Sequence, residues 1–157
     1  MNEIRKIPAG KISGIKTSIF TIMNPDKYDP KAIPTAWQEF FSKLPAAERP
    51  SSGIFYGAAV PSMDLNIPMT YIAGTLNDAH SKVLDSFESV EIPEGNYFCY
   101  THKGPITDLA QSYGIAYGSE LPKSGYQMRN APHLEIYESS EDPMSPNYEM
   151  VIAIPVA

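Results

Sequence analysis

One cysteine, Cys99, is the whole supply in 157 residues. It excludes an internal disulfide and a cysteine-rich zinc site, and it suits a reducing cytoplasm. Basic residues are also scarce: twelve Lys and Arg against eighteen Asp and Glu give a formal net charge of −6. That sign opposes a surface built to follow phosphates, and no basic cluster offsets it, so direct nucleic-acid binding is not expected. No stretch approaches the ~20 consecutive apolar residues that span a bilayer. The opening MNEIRKIPAGK lacks the apolar run of a signal peptide. The expectation is a soluble, cytoplasmic protein without a membrane partner. Familiar chemical signatures are missing too. GxxxxGK[ST], GxSxG and HExxH do not occur, and His133-Leu134-Glu135 has no PCxxC behind it as a zinc deaminase requires. His80, His102 and His133 lie far apart in the chain, so spacing suggests neither a metal nor a cofactor.

What is present is a packed globule, 43% hydrophobic and 19% charged. The phrase IPAG at 7–10 returns as IPEG at 92–95, and each copy is followed by the same succession. After the first come a strand over 11–22 and turn signals at Asn24-Pro25-Asp26. A helical stripe of Ile33, Trp37, Phe40, Phe41 and Leu44 follows, then two strands over 53–60 and 69–76. After the second come a strand over 96–102 and a helix opened by Gly104-Pro105 and closed by Leu121-Pro122. This helix carries Ile106, Leu109, Ala110, Tyr113 and Tyr117, and two strands over 133–139 and 148–156 complete the half. Gly114 and Gly118 cost that helix roughly 1 kcal/mol each against alanine, so its second half is expected to be irregular. The order strand, helix, strand, strand, read twice, predicts an α+β fold. It is an antiparallel sheet of duplicated units related by a pseudo-twofold axis, with two helices packed on it and a central cleft. One domain is expected over 1–157, with repeats at approximately 7–76 and 92–156.

The period of a strand places His133, Glu135 and Tyr137 on one face and Leu134 and Ile136 on the other. If the Leu134 and Ile136 face packs against the helices, Glu135 looks out of the opposite side of the sheet, into solvent or a concavity. A plain polar outer face is the alternative. Aromatic supply favours the concavity. Ten Tyr, six Phe and one Trp make 11% of the chain, and a buried tyrosine needs a partner for its hydroxyl. A tyrosine-lined cleft around one carboxylate is a way to hold a flat or cationic ligand.

These pieces together resemble the GyrI-like family, the effector-binding domain of AraC- and MerR-type regulators. They are IPAG with Gly14, Thr35 to Phe40 (TAWQEF), Tyr71-Ile72-Ala73-Gly74, Ile92 to Tyr97 (IPEGNY), Leu121 to Tyr126 (LPKSGY), Leu134-Glu135-Ile136-Tyr137 and the closing Ile152 to Val156 (IAIPV). The resemblance implies two strand-helix-strand-strand units around a shared cleft, with one buried glutamate at its centre. On this chain that glutamate falls on Glu135. Tyr71, Tyr113, Tyr56 and Trp37 are carried over as pocket aromatics, and Tyr137 shares the glutamate's strand. Without an appended helix-turn-helix in this sequence, the implied role is that of a stand-alone member. Three readings stay open. The first is binding or sequestering of a hydrophobic, cationic or neutral small molecule. The second is hydrolysis of electrophilic, cyclopropanoid-type molecules, with Glu135 as general base and Tyr71 or Tyr113 polarising a carbonyl. The third is a gyrase-inhibitor-like role with a topoisomerase as partner.

Overall fold

Each Ile-Pro phrase is a corner at which the chain leaves one strand for the next without pairing the two. In the computed structural model, which describes residues 2–20, 24–62, 64, 66–77 and 81–157, β1 (Asn2–Ile7) is followed by β2 (Gly10–Ile19). Likewise β5 (Glu88–Ile92) is followed by β6 (Gly95–Lys103). β1 pairs with β6 and β5 pairs with β2, so Ile7 lies opposite Gly95 and Gly10 opposite Ile92. The two phrases are therefore linked reciprocally: each half lends its first strand to the edge of the other.

The other strands and α-helices are α1 (Ala32–Lys43), β3 (Phe55–Val60), β4 (Met69–Leu76), a short α2 (Lys82–Asp85), α3 (Leu109–Ile115), α4 (Leu121–Ser124), β7 (His133–Tyr137) and β8 (Glu149–Val156). The eight strands form one open sheet in the order β1-β6-β8-β7-β3-β4-β2-β5, with every pair antiparallel. Read outward from the seam between β7 and β3, both directions give the same sequence of roles. The α+β class and the antiparallel sheet agree with the expectation.

Period-two alternation divides the sheet into two faces. One face buries Ile12, Ala58, Ile72, Leu134, Ile136, Val151 and Ala153 in a single apolar cluster. The other carries the helices. Ala36 of α1 packs with Ile19, Tyr71 and Ala73, and Phe40 packs with Leu44 and Leu84. Ala116 and Leu121 pack with Phe98, Met150, Ile152 and Ile154. The conditional placement of Leu134 and Ile136 against the helices is thereby corrected: they point away from them, and Glu135 lies on the helix-bearing face.

The second helix runs further than its Leu121-Pro122 pair suggested. From α3 it passes through a π-helical stretch (Ala116–Glu120) into α4, and it stops at Gly125. Pro122 sits in the first turn after the π stretch, where its missing N–H costs little, and Gly125 takes the left-handed conformation (φ +79°) that suits a helix end. The irregularity expected from Gly114 and Gly118 is this widened turn, which spans Gly118. Strands β1 and β5 and helix α2 were not expected. β1 reads NEIRKI and is mostly exposed, a charged edge strand that its own sequence does not announce. The strand expected over 11–22 ends at Ile19; its residues 21–22, like His80, lie outside the described residues.

Candidate functional site

Glu135 is the third residue of the five-residue strand β7, and only 8% of its surface is exposed. A buried carboxylate needs hydrogen-bond donors or a counter-charge. Here three tyrosines supply donors. The Tyr71 hydroxyl, from β4, donates to Oε1 at 2.7 Å, and the Tyr137 hydroxyl, two residues along β7, donates to the same oxygen at 2.8 Å. Tyr113, from α3, donates to Oε2. The indole of Trp37 on α1 donates in turn to the Tyr71 oxygen at 3.0 Å, and its ring meets Tyr137 edge-on at 5.2 Å. Elements from both halves thus converge on one carboxylate.

A second layer lies beside it. Tyr113 stacks on Tyr117 with ring centres 6.0 Å apart, and Tyr117 stacks on His133 at 5.8 Å. The Tyr117 hydroxyl and His133 Nδ1 are 2.6 Å apart in a hydrogen bond. The result is a ladder of three near-parallel rings beginning at the tyrosine that holds Glu135.

Among the described residues Glu135 takes part in no ion pair. The ion pairs among the described residues join Arg5 to Glu3 and Glu138, Lys6 to Glu94, and Lys43 to Glu39, all partly or well exposed. The tyrosines are held firmly as neutral donors. Burial first, and the Glu135 charge second, push the hydroxyls of Tyr71, Tyr113, Tyr137 and Tyr117 up from the ordinary phenol range. Burial also lowers the pKa of His133, which favours the neutral imidazole. Neutral hydroxyls solvate a carboxylate without cancelling its charge. Chemically, the arrangement surrounds one buried carboxylate with three hydroxyl donors and a wall of aromatic rings.

Five of the six site residues expected from sequence come together here: Glu135, Tyr71, Tyr113, Tyr137 and Trp37. Tyr56 does not. It lies on the opposite face of β3, packed against the apolar cluster of Ile12, Ala58 and Ile72, because it is one residue out of phase with the site-facing positions of that strand. Two features were missed. Tyr117 stands four residues after Tyr113 on one helix face, and that spacing was its signal. Gly57 lies directly opposite Glu135 in the β3–β7 register. A β-carbon there would come within 2.7 Å of Glu135 Oε1 and 2.9 Å of Tyr71 Cζ, inside contact distance. A glycine within a strand is a mark of close approach. A surface groove of about 410 Å³ runs between β2 and α1 past Lys16, Asp29 and Glu39 and is not lined by any of these residues. Among the described residues no three His, Cys, Asp or Glu side chains stand close enough to hold a metal ion, and no helix is long and apolar enough to cross a membrane.

Comparison with known proteins bears on this geometry. Residues 3–156 match the profile of a family described as integron-associated effector binding protein. The fold is similar to that of SAV2435 in its structure bound to tetraphenylphosphonium, at 15% identity and TM-score 0.74, over 100% of this chain and 94% of that one. It is similar to an integron cassette protein from the mobile metagenome of Vibrio cholerae, at 16% identity and TM-score 0.71, over 99% and 95% of the two chains. The EcmrR C-terminal domain follows at 17% identity and TM-score 0.65, over 100% and 97%. No curated protein matches.

Proposed function

The chain belongs to the integron-associated effector binding proteins and has a GyrI-like fold, and from that premise we propose that it binds a hydrophobic organic cation at Glu135, as a binding or sequestering protein. Small-molecule binding goes with the family; the cation and the site are the proposal. The observation that carries it is the buried, triply hydrogen-bonded Glu135 with no cationic partner among the described ion pairs. A desolvated anion of this kind gains most from a cation, and aromatic faces such as those of Trp37, Tyr113 and Tyr137 add roughly 0.5 to 2 kcal/mol each. SAV2435, which shares the fold, has been seen with tetraphenylphosphonium, which makes that compound a suitable probe. We also take 1–157 as one effector-binding domain built by duplication of a strand-helix-strand-strand unit, a reading supported by the reciprocal strand order.

Calorimetric titration with tetraphenylphosphonium and with a neutral aromatic of similar size tests the proposal. Glu135→Gln keeps the shape and removes the charge. Affinity for the cation is expected to fall by ~2 to 5 kcal/mol, the range for losing one partner of a desolvated charge pair, while the neutral compound binds as before. Equal weakening of both compounds would make Glu135 a structural acceptor and sink the cation reading. Use of Glu135 as a general base for hydrolysis is disfavoured by the same bonds. Both hydroxyls that would polarise a carbonyl, Tyr71 and Tyr113, are already spent on the carboxylate.

A further inference from the structure

Glu135 has a limited capacity to accept hydrogen bonds. An ionised carboxylate offers about four lone-pair positions, two on each oxygen. Tyr71 and Tyr137 fill both positions on Oε1, and Tyr113 fills one on Oε2. One acceptor position remains, on Oε2 alone. A planar cation with two parallel N–H donors, an amidinium or a guanidinium, binds a carboxylate best by engaging both oxygens at once. That mode is blocked here by the Tyr71 and Tyr137 hydroxyls, which together fill Oε1.

The Tyr71 hydroxyl reaches that oxygen because of what is absent beneath it. Gly57 faces Glu135 across the β3–β7 pair. A β-carbon at Gly57 would sit 2.7 Å from Oε1 and 2.9 Å from Tyr71 Cζ, with the Tyr71 hydroxyl closer still. Tyr71 is 2% exposed, and its oxygen is tied to both Trp37 and Glu135, so this seating lasts only while position 57 carries no β-carbon. We propose that Gly57 is a specificity-determining residue of the Glu135 site, which by seating Tyr71 on Oε1 selects cations without paired N–H donors and rejects amidinium and guanidinium ligands. The inference rests on the reading of Glu135 as a cation site and assigns to a residue without a side chain the choice among cations.

Two probes with aromatic bodies separate the classes: tetraphenylphosphonium, which has no N–H, and biphenyl-4-carboxamidinium, which has the paired donors. The quantity of interest is the ratio of their dissociation constants, measured by calorimetry on the full chain. Wild-type protein favours the phosphonium. Gly57→Ala, which displaces Tyr71 from Oε1, shifts the ratio toward the amidinium by about tenfold or more, and Tyr71→Phe, which deletes one of the two hydroxyls on Oε1 without adding a β-carbon, shifts it in the same direction. A purely structural role for Gly57 weakens both probes alike and leaves the ratio in place. An unchanged ratio in both variants, with wild type still binding the phosphonium, overturns the role of Gly57 and leaves the cation site standing. Wild type that binds neither probe overturns the cation site itself. A crystal structure of Gly57→Ala without ligand decides the geometric step independently: Tyr71 still bonded to Oε1 would refute it.

Discussion

The two central strands lie side by side in register and differ in nearly every side chain. β3 presents Gly57, Ala58 and Ala59 where β7 presents Glu135, Leu134 and His133. On the face away from the helices the difference is only one of volume, since Ala58 and Leu134 join the same apolar cluster. On the helix-bearing face it is a difference in kind. β7 supplies the charge, the imidazole and Tyr137, while β3 supplies vacant room over which Tyr71 reaches from β4. The sheet order makes the halves equivalent as backbone, yet the site exists because they are unequal as chemistry: one half brings the anion and the other brings the space and the Trp37–Tyr71 pair that holds it.

The comparison can be broken most severely from the first half's helix. Phe40 is fully buried, with its ring against Trp37, Phe41, Phe55 and Phe87. Phe40→Ala is expected to cost ~3 to 5 kcal/mol of stability in urea denaturation. A loss below about 1 kcal/mol would mean that α1 is not anchored by this ring.

The next effect separates the two tyrosines that share Oε1. Removing a hydrogen bond to a charged group costs ~1.5 to 3 kcal/mol. Tyr71→Phe also leaves the Trp37 indole without its acceptor, so it should destabilise more than Tyr137→Phe, which breaks one bond. Equal losses from the two variants would show that the Trp37 link contributes nothing.

Titration sharpens the contrast between the tyrosine cluster and His133. Burial, and after it Glu135, raises Tyr71, Tyr113 and Tyr137, and burial pushes the Cys99 thiol up to about 11. Groups with raised folded values keep their full stabilisation below their unfolded values and lose it as pH rises. Stability should therefore fall above about pH 9 to 10, and it should fall less steeply in Tyr71→Phe. His133 has the opposite sign: its folded value is lowered by burial. Its contribution is present above its unfolded value of about 6.5 and is lost as pH falls below that. His133→Gln should flatten the acid limb of a melting-temperature profile and leave the alkaline limb in place. The smallest effect is expected from Tyr117→Phe, which removes the bond to His133 Nδ1. It should cost about 1 kcal/mol, and nothing at all if the ring ladder alone holds His133.

Much of the candidate site's geometry was legible in the sequence. The helical stripe that ends at Leu44 placed Trp37 and Phe40 on α1, and the spacing of LEIY put Glu135 and Tyr137 on one face. The exchanged edge strands were not legible. NEIRKI and ESVEI carry few residues that favour a strand on their own, and they become strands through partners about ninety and eighty positions away. Tyr56 was misplaced for a related reason: the sequence shows that it alternates with Phe55 and Gly57, but not which of the two sets meets Glu135.

The amino-acid sequence by itself determined the relations inside each element. These are the shared face of His133, Glu135 and Tyr137, the four-residue step from Tyr113 to Tyr117, and the repeated order of strand and helix, all consequences of periods of 2.0 and 3.6 residues. Only the tertiary structure decided which face of the sheet received the helices, that Gly57 would stand opposite Glu135, and that Tyr71, 64 residues from Glu135, would close on it. Register between strands distant in the chain is set by how both faces of the whole sheet are buried, and a slip of one residue reverses every side chain. Local spacing could therefore present the carboxylate, and long-range pairing had to choose its company.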